Sequence, residues 1–354
     1  MKERERQIIW PAEWHPQSGV QLTWPHPDTD WKEMLDEVVP CFVAIAKAIV
    51  RQEKLLIVCH SEEKVKQVLF EEEEIKRHRR RIIFREIASN DTWARDHGAI
   101  SIFVEGRPFL YDFTFNGWGL KFAAHFDNQI NKQLYEQKTF LPEVGYQGMK
   151  YCVMEGGSIE SDGEGRILTT SACLMSANRN DYKLRAEIQE HLLMIFDADK
   201  VLWLKHGYLA GDDTDSHVDT LARFCDTKTI AYVKCEDSED EHFGELQKME
   251  QELHEFVTAD DKPYRLIPLP MADAVYHDGE RLPATYANFL IINQAVLVPV
   301  YGSSKDKLAC KQLQKAFPDR EIVPINCIPL IKQHGSLHCV TMQFPKGFLE
   351  EDEH

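Results

Sequence analysis

The sequence predicts a mixed α/β fold in which a strand–turn–strand unit recurs around a centre. Three segments follow one plan, a strand, an acidic turn and a second strand, at residues 81–104, 151–170 and 200–233. Two further strand-rich segments lie at 286–302 and 336–344. Between these segments the sequence predicts helices, at 182–196, 239–257 and 304–316. Strands and helices that recur at spacings of roughly 50 to 70 residues indicate a repeated unit, and a doubly wound parallel sheet is the alternative.

The N-terminal part predicts a helix, a strand and a second helix. Apolar residues at helical spacing predict a helix from Trp31 to Arg51. The apolar run at 54–60 predicts a strand, and Ser61 is a candidate N-cap of the helix that follows. This second helix is expected to end in the charged run 71–81. Because that run mixes Glu with Lys and Arg, we expect it to be a solvated surface.

The composition is that of an ordinary globular chain. Of its 354 residues, 43% are hydrophobic and 28% are charged. No low-complexity linker divides them, so we expect a single domain over 1–354 with its core at about 10–345. The formal net charge is −17. This charge argues against nucleic acid and anionic membranes as partners, because phosphate binding needs clustered Lys and Arg.

The cysteines and the N-terminus indicate a reducing, cytoplasmic setting. The nine cysteines include no CxxC pair, so neither a disulfide framework nor a zinc ribbon is expected. The N-terminal stretch MKERERQIIW lacks the apolar core of a signal peptide. No apolar run reaches the roughly 18 residues that a membrane-spanning helix needs.

Four turns carry the side chains with the most chemical potential. They contribute Trp93 and Asp96 (turn 89–98), Glu155 (154–158), His217 and Asp219 (214–220), and Cys339, which starts the last predicted strand. If 214–220 is a strand, His217 and Asp219 share a face, because alternate residues of a strand point the same way. Taken singly, each residue also has an ordinary structural explanation, since turn carboxylates cap backbone amides and cysteines are often buried.

Together these side chains form a coherent chemical set. An ionised cysteine is a strong nucleophile. A histidine can protonate a leaving group and then activate water, and a carboxylate can orient that histidine. The remaining carboxylates match the fixed donors of a planar guanidinium group. The set predicts a site for a guanidinium compound. A non-catalytic guanidinium-binding protein is the alternative, although binding alone would need only the carboxylates.

Several motifs resemble one known family. The segments NDTWARDHG, MEGGS, DSHVD and the final HC resemble the agmatine deiminase and bacterial peptidylarginine deiminase family of the guanidino-group-modifying superfamily. Segments 10–31 and 115–122 are similar to it as well, so the resemblance covers about 10–345. It implies a five-bladed ββαβ pseudo-symmetric propeller (the pentein fold) with the site on its axis. Where the family has Gly-Gly-Gly-Asn before the cysteine, this chain has Gln333, His334, Gly335 and Ser336.

The resemblance implies catalytic roles for three residues. Cys339 is the implied nucleophile, His217 the general acid and base, and Glu155 the carboxylate partner of His217, which also touches the guanidinium. The implied reaction releases ammonia, forms a covalent thiouronium on the cysteine and hydrolyses it to a ureido product. No cofactor or metal is implied. The pair His334 and His338 lies outside any HExxH pattern, so zinc is not expected.

The resemblance also implies how the substrate is held. Asp96 and Asp219 are implied to grip the guanidinium nitrogens, and Trp93 to shape the pocket for the aliphatic arm. The implied substrate is agmatine, hydrolysed to N-carbamoylputrescine in polyamine biosynthesis. Free arginine and peptidylarginine are the alternatives, with Arg95 and Lys121 as candidates for binding a substrate carboxylate. A homodimer is the oligomeric state that the family suggests.

The same residues lead to an expectation about the thiol. If Glu155, Asp96 and Asp219 face Cys339, their negative charge should raise the thiol pKa above its reference of about 8.5. A protonated His217 would act in the opposite direction. A bound guanidinium would reverse the local field, so the substrate would help to ionise its own nucleophile.

Overall fold

The computed structural model describes residues 6–350. Their strands form five small mixed sheets and a two-stranded hairpin, Tyr276–His277 with Glu280–Arg281. The predicted mixed α/β class is therefore confirmed. Between residues 6 and 350 the strands do not merge into one sheet, so the doubly wound alternative is wrong.

The five sheets share one connectivity. In each, an antiparallel pair of strands is followed, after a helix, by a strand that pairs in parallel with the second member. In strand order they are sheet I, Thr341–Pro345, Gln17–Thr23, Lys54–Cys59 and Ile82–Glu86; sheet II, Ile8–Ile9, Ile100–Val104, Arg107–Thr114 and Gly145–Val153; sheet III, Ile159–Ser161, Arg166–Thr170 and Lys200–Leu204; sheet IV, Ala222–Asp226, Thr229–Lys234 and Arg265–Pro270; and sheet V, Leu290–Ile291, Ala295–Val300 and Glu321–Asn326. The recurrence explains the rhythm in the sequence.

The long helices lie where the apolar periodicity predicts them. Helix 31–51 is α-helical over Leu35–Val50, after a 3₁₀ turn at Lys32–Met34. The other three predicted helices are Arg185–Phe196, Phe243–Glu255 and Asp306–Ala316. They pack apolar faces against the sheets. In the same buried cluster, for example, Val38, Phe42 and Ile45 lie with Leu55 and Ile57 of sheet I.

The second helix differs from its prediction at one end. Ser61 is its N-cap, since the Ser61 Oγ accepts a hydrogen bond from the Lys64 amide at 3.4 Å. The helix covers Glu62–Leu69 and stops before the charged run. That run forms a separate helix at Glu73–Arg77 and a 3₁₀ turn at Arg79–Arg81. Its many charged side chains are mostly exposed or half-buried, as expected for a solvated surface.

The remaining helical segments are short. They are Ala94–His97, Asp127–Gln129, Ile130–Glu136, Gly156–Ser158, Ser171–Leu174, Val218–Thr220 and Ile328–Ile331. Segment Gly117–Leu120 is a left-handed turn, with all four φ angles between 55° and 82°. Among residues 6–350, no helix combines the length and apolar character needed to cross a bilayer.

Each of the five sheets has an equivalent segment just before the first strand of its antiparallel pair. These segments contain Asp96 in sheet II, Gly157 in sheet III, Asp219 in sheet IV, Asn288 in sheet V and Cys339 in sheet I. Contacts link them to one another, since Gly157 donates to Asp96 and Asn288 donates to the Asp219 carbonyl. Five equivalent positions of the repeated unit therefore meet in one place.

Candidate active site

A glycine lies at the centre of the candidate site. A Cβ atom on Gly157 would lie 2.7 Å from the His217 Nδ1, 2.8 Å from the Asp96 Oδ1 and 3.1 Å from the Asp219 Oδ2. Any larger residue would therefore push against three of the predicted site residues at once. This explains why the carboxylate of Glu155 is followed by glycines in the sequence.

His217 and Asp219 converge for a reason that differs from the prediction. The expected strand at 214–220 is wrong, because His217 is the N-cap of a 3₁₀ turn at Val218–Thr220. The side chains of His217 and Asp219 are nevertheless both buried at Gly157. The tight turn, and not the alternation of a strand, brings them together.

The Asp96 carboxylate is held by two donors. The Trp118 Nε1 donates to its Oδ2 at 2.9 Å, and the Gly157 amide donates to its Oδ1 at 3.0 Å. Burial raises the pKa of Asp96 to about 7, and Glu155 adds to the rise while the two hydrogen bonds oppose it. The His217 Nδ1 is 3.6 Å from the same Oδ1. Asp96 is thus fixed in place and close to the histidine.

Several buried polar atoms of the site have no hydrogen-bond partner among residues 6–350. They are both ring nitrogens of His217 and the Oδ1 of Asp219. Buried polar atoms are nearly always paired, so unpaired ones on two neighbouring residues indicate a place for a polar ligand. Burial, aided by the cations of Arg179 and Lys121, pushes the pKa of His217 well below 6.5. The imidazole is therefore neutral and able to accept a proton.

Glu155 is bound to an arginine that the sequence reading missed. The Arg179 Nε donates to both Glu155 oxygens, at 3.0 and 2.9 Å, and both side chains are fully buried. Burial raises the pKa of Glu155, and Arg179 opposes that rise. A carboxylate oxygen of Glu155, a ring nitrogen of His217 and the Cys173 thiol all lie within 4.8 Å of one another. Glu155 and His217 nevertheless form no hydrogen bond with each other. Through Arg179 the carboxylate reaches Asp215, whose Oδ2 accepts from the Nη1 at 2.6 Å.

Cys339 lies in the turn just before the last strand rather than at its first residue. Its side chain is 6% exposed, and its Sγ lies 3.4 Å from the Asn288 Oδ1, which accepts a hydrogen bond from the thiol. Burial, followed by the charges of Asp219 and Asp96, raises the thiol pKa well above 9. This is the predicted direction, although Glu155 is not among the main causes.

A cavity of about 170 Å³ leads to Cys339. Its walls are Asp30, Asp91, Trp93, Asp96, Trp118, Phe122, Asp213, Thr214, Gln333, His334 and Gly335. Three of the four residues that replace the family's Gly-Gly-Gly-Asn, Gln333, His334 and Gly335, therefore line this cavity. A Cβ on Gly335 would lie 2.1 Å from the Trp93 ring, so the chain packs directly on that indole.

The two candidate carboxylate-binding cations do not line this cavity. Arg95 is buried beside Glu13, at 3.6 Å, and its Nε donates to the His338 carbonyl at 3.5 Å. The Lys121 Nζ donates to the Asp213 carbonyl at 2.5 Å and to the Asp215 Oδ1 at 2.8 Å. Both cations are thus already paired with acceptors of the protein.

Three groups of residues between 6 and 350 could offer ligands to a metal ion. Two are occupied by arginines: Glu155, Cys173 and His217 lie against Arg179, and Glu13, Glu160 and His338 lie against Arg223. Because a guanidinium already neutralises these carboxylates and repels other cations, it opposes the binding of a metal ion there. In the third group, His26, Asp28 and His60, the two imidazoles are stacked with centroids 3.8 Å apart, which directs their lone pairs in parallel.

Three site residues escaped the sequence reading, and each had a weak signal. Trp118 lies in the FNGWGLKF segment that resembled the family, Arg179 follows the strand after Glu155, and Asn288 precedes the first strand of sheet V. Asn288 could have been found by aligning the five units, because it occupies the same place as Asp96 and Asp219.

Replacing Trp118 by phenylalanine tests the support of Asp96. The variant keeps an aromatic ring but loses the Nε1 donor at 2.9 Å. We expect kcat/KM for a guanidinium substrate to fall about 10- to 100-fold, because a hydrogen bond to a charged group contributes about 1.5–3 kcal/mol. Trp203→Phe is the matched control, since Trp203 lies in sheet III and its Nε1 donates to Gln189 of the helix Arg185–Phe196. Equal kinetics of both variants and the wild type would show that Asp96 needs no such donor.

Solved structures with high similarity share this architecture. A Porphyromonas gingivalis structure, provisionally named an arginine deiminase, is 54% identical with a TM-score of 0.92, covering 97% of this chain and 100% of that one. An agmatine deiminase of Campylobacter jejuni with substrate bound is 37% identical with a TM-score of 0.88, covering 96% and 97% of the two chains.

Sequence comparison gives the same grouping. A Legionella pneumophila relative, provisionally named an agmatine deiminase, is 33% identical over 95% of this chain and 94% of its own. The model of the Porphyromonas-type peptidyl-arginine deiminases matches residues 9–345. The chain therefore belongs to the Porphyromonas-type peptidyl-arginine deiminase family.

Proposed function

We propose that this protein hydrolyses agmatine to N-carbamoylputrescine and ammonia, with Cys339 as the nucleophile. Family membership makes it a hydrolase of guanidino C–N bonds. The observation that favours agmatine is the cavity wall, to which residues 6–350 contribute four aspartates and neither lysine nor arginine. Agmatine has a cation at each end and no carboxylate, whereas free arginine would bring its carboxylate close to these acids.

The guanidinium is proposed to bind between Asp96 and Asp219. The free Oδ1 of Asp219 supports this position, as does the fixed carboxylate of Asp96. Ionised carboxylates match the donors of a guanidinium in a fixed geometry. The two acids would hold the central carbon over Cys339 and orient its nitrogens for departure.

The neutral His217 is proposed to transfer the protons. It accepts the thiol proton as the Cys339 sulfur adds to the guanidinium carbon, and donates it to the departing nitrogen, which leaves as ammonia. A thiouronium remains on the sulfur. His217 then takes one proton from water as the water oxygen adds to the same carbon, and returns that proton to the sulfur as the sulfur leaves. The remaining hydroxyl proton is released as the ureido carbonyl forms, and it converts the departed ammonia to ammonium.

Glu155 is proposed to act on this histidine through charge. Its carboxylate lies within 4.8 Å of His217 but is occupied by Arg179. It would stabilise the imidazolium that forms after each proton transfer and would add negative charge near the guanidinium. Trp93 is proposed to shape the wall along the aliphatic arm, which agrees with its place in the cavity.

Asp213 is the acid best placed for the distal ammonium of agmatine. Asp91 is engaged, because its Oδ1 accepts from the Trp31 Nε1 at 2.8 Å and from the Thr92 amide at 2.7 Å. Burial and the neighbouring Asp212 raise the pKa of Asp213 to about 6, so its carboxylate is mainly ionised at neutral pH. It lines the same cavity as Cys339.

We also propose that the five sheets are the blades of one pseudo-symmetric propeller with the site on its axis. Their common connectivity and the equivalent positions of Asp96, Gly157, Asp219, Asn288 and Cys339 support this arrangement. The chain would act as a single catalytic domain.

The proposed setting is the cytoplasm, with a small guanidinium substrate as the main partner. All nine cysteines are unpaired, which suits a reducing compartment. The net charge of −17 disfavours nucleic acid and anionic membranes. A homodimer is proposed from the family resemblance alone.

Release of ammonia and of the ureido product should be measured for agmatine, arginine and an arginine-containing peptide. We expect agmatine to have the highest kcat/KM. For Asp213→Asn we expect about a 5- to 10-fold loss with agmatine, equal to about 1–1.4 kcal/mol. Little change is expected with butylguanidine, which lacks the distal amine.

Asp260→Asn provides the control, since Asp260 is exposed and pairs only loosely with Lys228 at 3.8 Å. It should leave all substrates unaffected. A clearly higher kcat/KM for arginine or the peptide would show that agmatine is not the preferred substrate and would assign that role to the other compound. An equal loss for agmatine and butylguanidine in Asp213→Asn would remove Asp213 from the distal site.

A further inference from the structure

His338 connects the site to a buried glutamate of the N-terminal segment. The His338 Nδ1 lies 2.7 Å from the Asp219 Oδ2, and its Nε2 lies 2.7 Å from the Glu13 Oε2. The other Glu13 oxygen accepts from the Ile291 amide at 2.7 Å. All three ionisable side chains are buried. The imidazole is thus fixed between two carboxylates, one of which belongs to the site.

The groups that face this histidine leave the cluster one positive charge short. The carboxylates are Glu13, Glu160 and Asp219, and the guanidinium groups are Arg95 and Arg223. The Arg223 Nη2 is 2.9 Å from the Glu13 Oε2, and its Nε pairs with Glu160. With all three carboxylates ionised, three anions face two cations, and one additional proton on the His338–Asp219 pair balances them.

The two hydrogen bonds of His338 also require one additional proton. A neutral imidazole donates from one nitrogen only, whereas both nitrogens of His338 contact carboxylate oxygens. Either the imidazole is doubly protonated, or one of the two carboxylates carries a proton and donates it to the ring. Despite burial, Arg223 and His338 hold the pKa of Glu13 well below 4.5, so the protonated carboxylate in the second form is Asp219, which donates from its Oδ2 to the Nδ1. Burial favours the second form, since it raises the pKa of Asp219 well above 3.8 and lowers the pKa of His338 well below 6.5.

We propose that Asp219 and His338 share one proton and that His338 takes it when the substrate guanidinium binds. The proton moves from the Asp219 Oδ2 to the His338 Nδ1, while the Nε2–H is donated to Glu13. Asp219 then faces the guanidinium as an anion through its Oδ1, which has no other partner within residues 6–350. No proton is lost to solvent. His338 is thus a positioning residue, and this inference rests on the proposed function.

Such an arrangement solves a problem of the empty site. Beyond burial, Asp96 makes the ionisation of Asp219 more costly, and Glu155 does the same to Asp96. A proton held locally keeps Asp219 neutral without substrate and removes the need for exchange with water on binding. An asparagine or a glutamine in place of His338 cannot take up this proton. The asparagine can still donate a hydrogen bond to Asp219, and the glutamine can still reach towards Glu13.

Proton release on binding should be measured by calorimetry in two buffers that differ in ionisation enthalpy. The proteins are Cys339→Ser and Cys339→Ser combined with His338→Asn, and the ligands are agmatine and methylguanidine. We expect the double variant to release about one more proton per guanidinium bound, because Asp219 must then ionise to solvent. Its Kd should also rise about tenfold for each pH unit below the pKa of Asp219.

A control histidine lies outside the site. His242 is buried like His338 and lies 2.6 Å from the Asp240 Oδ1. Cys339→Ser combined with His242→Asn should release the same number of protons as Cys339→Ser alone. Identical proton counts and pH profiles for the His338→Asn protein would overturn the shared-proton inference, because a merely structural histidine would change neither.

A second measurement needs no substitution of His338. In Cys339→Ser protein labelled with ¹⁵N-histidine, nuclear magnetic resonance reports the protonation of both ring nitrogens, with His338→Gln used only for assignment. We expect both nitrogens of His338 to be protonated when agmatine or methylguanidine is bound. A singly protonated His338 in the complex would overturn the inference. If methylguanidine binds with this signature and agmatine does not bind, the substrate assignment fails while the shared proton stands.

Discussion

Cys339→Ser is expected to lower kcat for agmatine by about four orders of magnitude or more, because a hydroxyl that lacks activation is a far weaker nucleophile than a thiolate. Cys339 is 6% exposed and lines the cavity, so the smaller oxygen atom should leave the packing intact. Steady-state ammonia release measures the effect. Circular dichroism and the melting temperature should match those of the wild type.

Another cysteine provides the matched control. Cys310 is half-buried on helix Asp306–Ala316 and lies outside the cavity. Cys310→Ser should therefore retain nearly full activity. Substantial turnover by Cys339→Ser would exclude the cysteine as the nucleophile, and an inactive Cys310→Ser enzyme would show that activity depends on thiols in another way.

The thiol of the empty enzyme is expected to resist alkylation at neutral pH. Burial is the largest cause that raises the pKa of Cys339 well above 9, and any ionisation of Asp219 or Asp96 adds to the rise. The neutral thiol dominates below that pKa, so the rate of reaction with iodoacetamide should still be rising at pH 9. The contact with the Asn288 side chain, whose Oδ1 is 3.4 Å from the Sγ, opposes this rise in pKa without cancelling it.

A bound guanidinium is expected to shift this profile to lower pH. Its positive charge beside the sulfur favours the thiolate. The rate of alkylation at Cys339 should be measured from pH 6 to pH 10, with and without methylguanidine, and peptide mapping should separate this site from the other eight cysteines. An apparent pKa well below 8 without ligand would show a preformed thiolate, and activation by the substrate would then be wrong.

The periodic parts of the fold could be predicted from the sequence, because apolar residues at helical or strand spacing report burial directly. The helix Leu35–Val50 and the strand Lys54–Cys59 agree with their predictions to within a few residues. The rhythm of strands and helices also gave the repeated unit. The pairing of 341–345 with 17–23, which joins both ends of the chain in sheet I, has no local signal.

The residues of the candidate site were predicted from the turns that carry them, but the conformations of those turns were not predicted. His217 and Asp219 converge through a 3₁₀ turn, although the sequence suggested a strand. Arg179 could not be assigned to Glu155, because the two meet only after the chain has folded. The side chain of Trp118 reaches Asp96 from a left-handed turn, in which positive φ at a tryptophan runs against ordinary backbone preference.

The most direct test of the mechanism is the mass of the enzyme in a reaction quenched with acid during turnover of agmatine. We expect a covalent adduct equal in mass to agmatine less ammonia, located on Cys339 by peptide mapping and absent from Cys339→Ser. It should disappear once the substrate is consumed. Rapid turnover with an adduct on any other residue, or with no adduct at times when hydrolysis limits the rate, would contradict a thiouronium on Cys339.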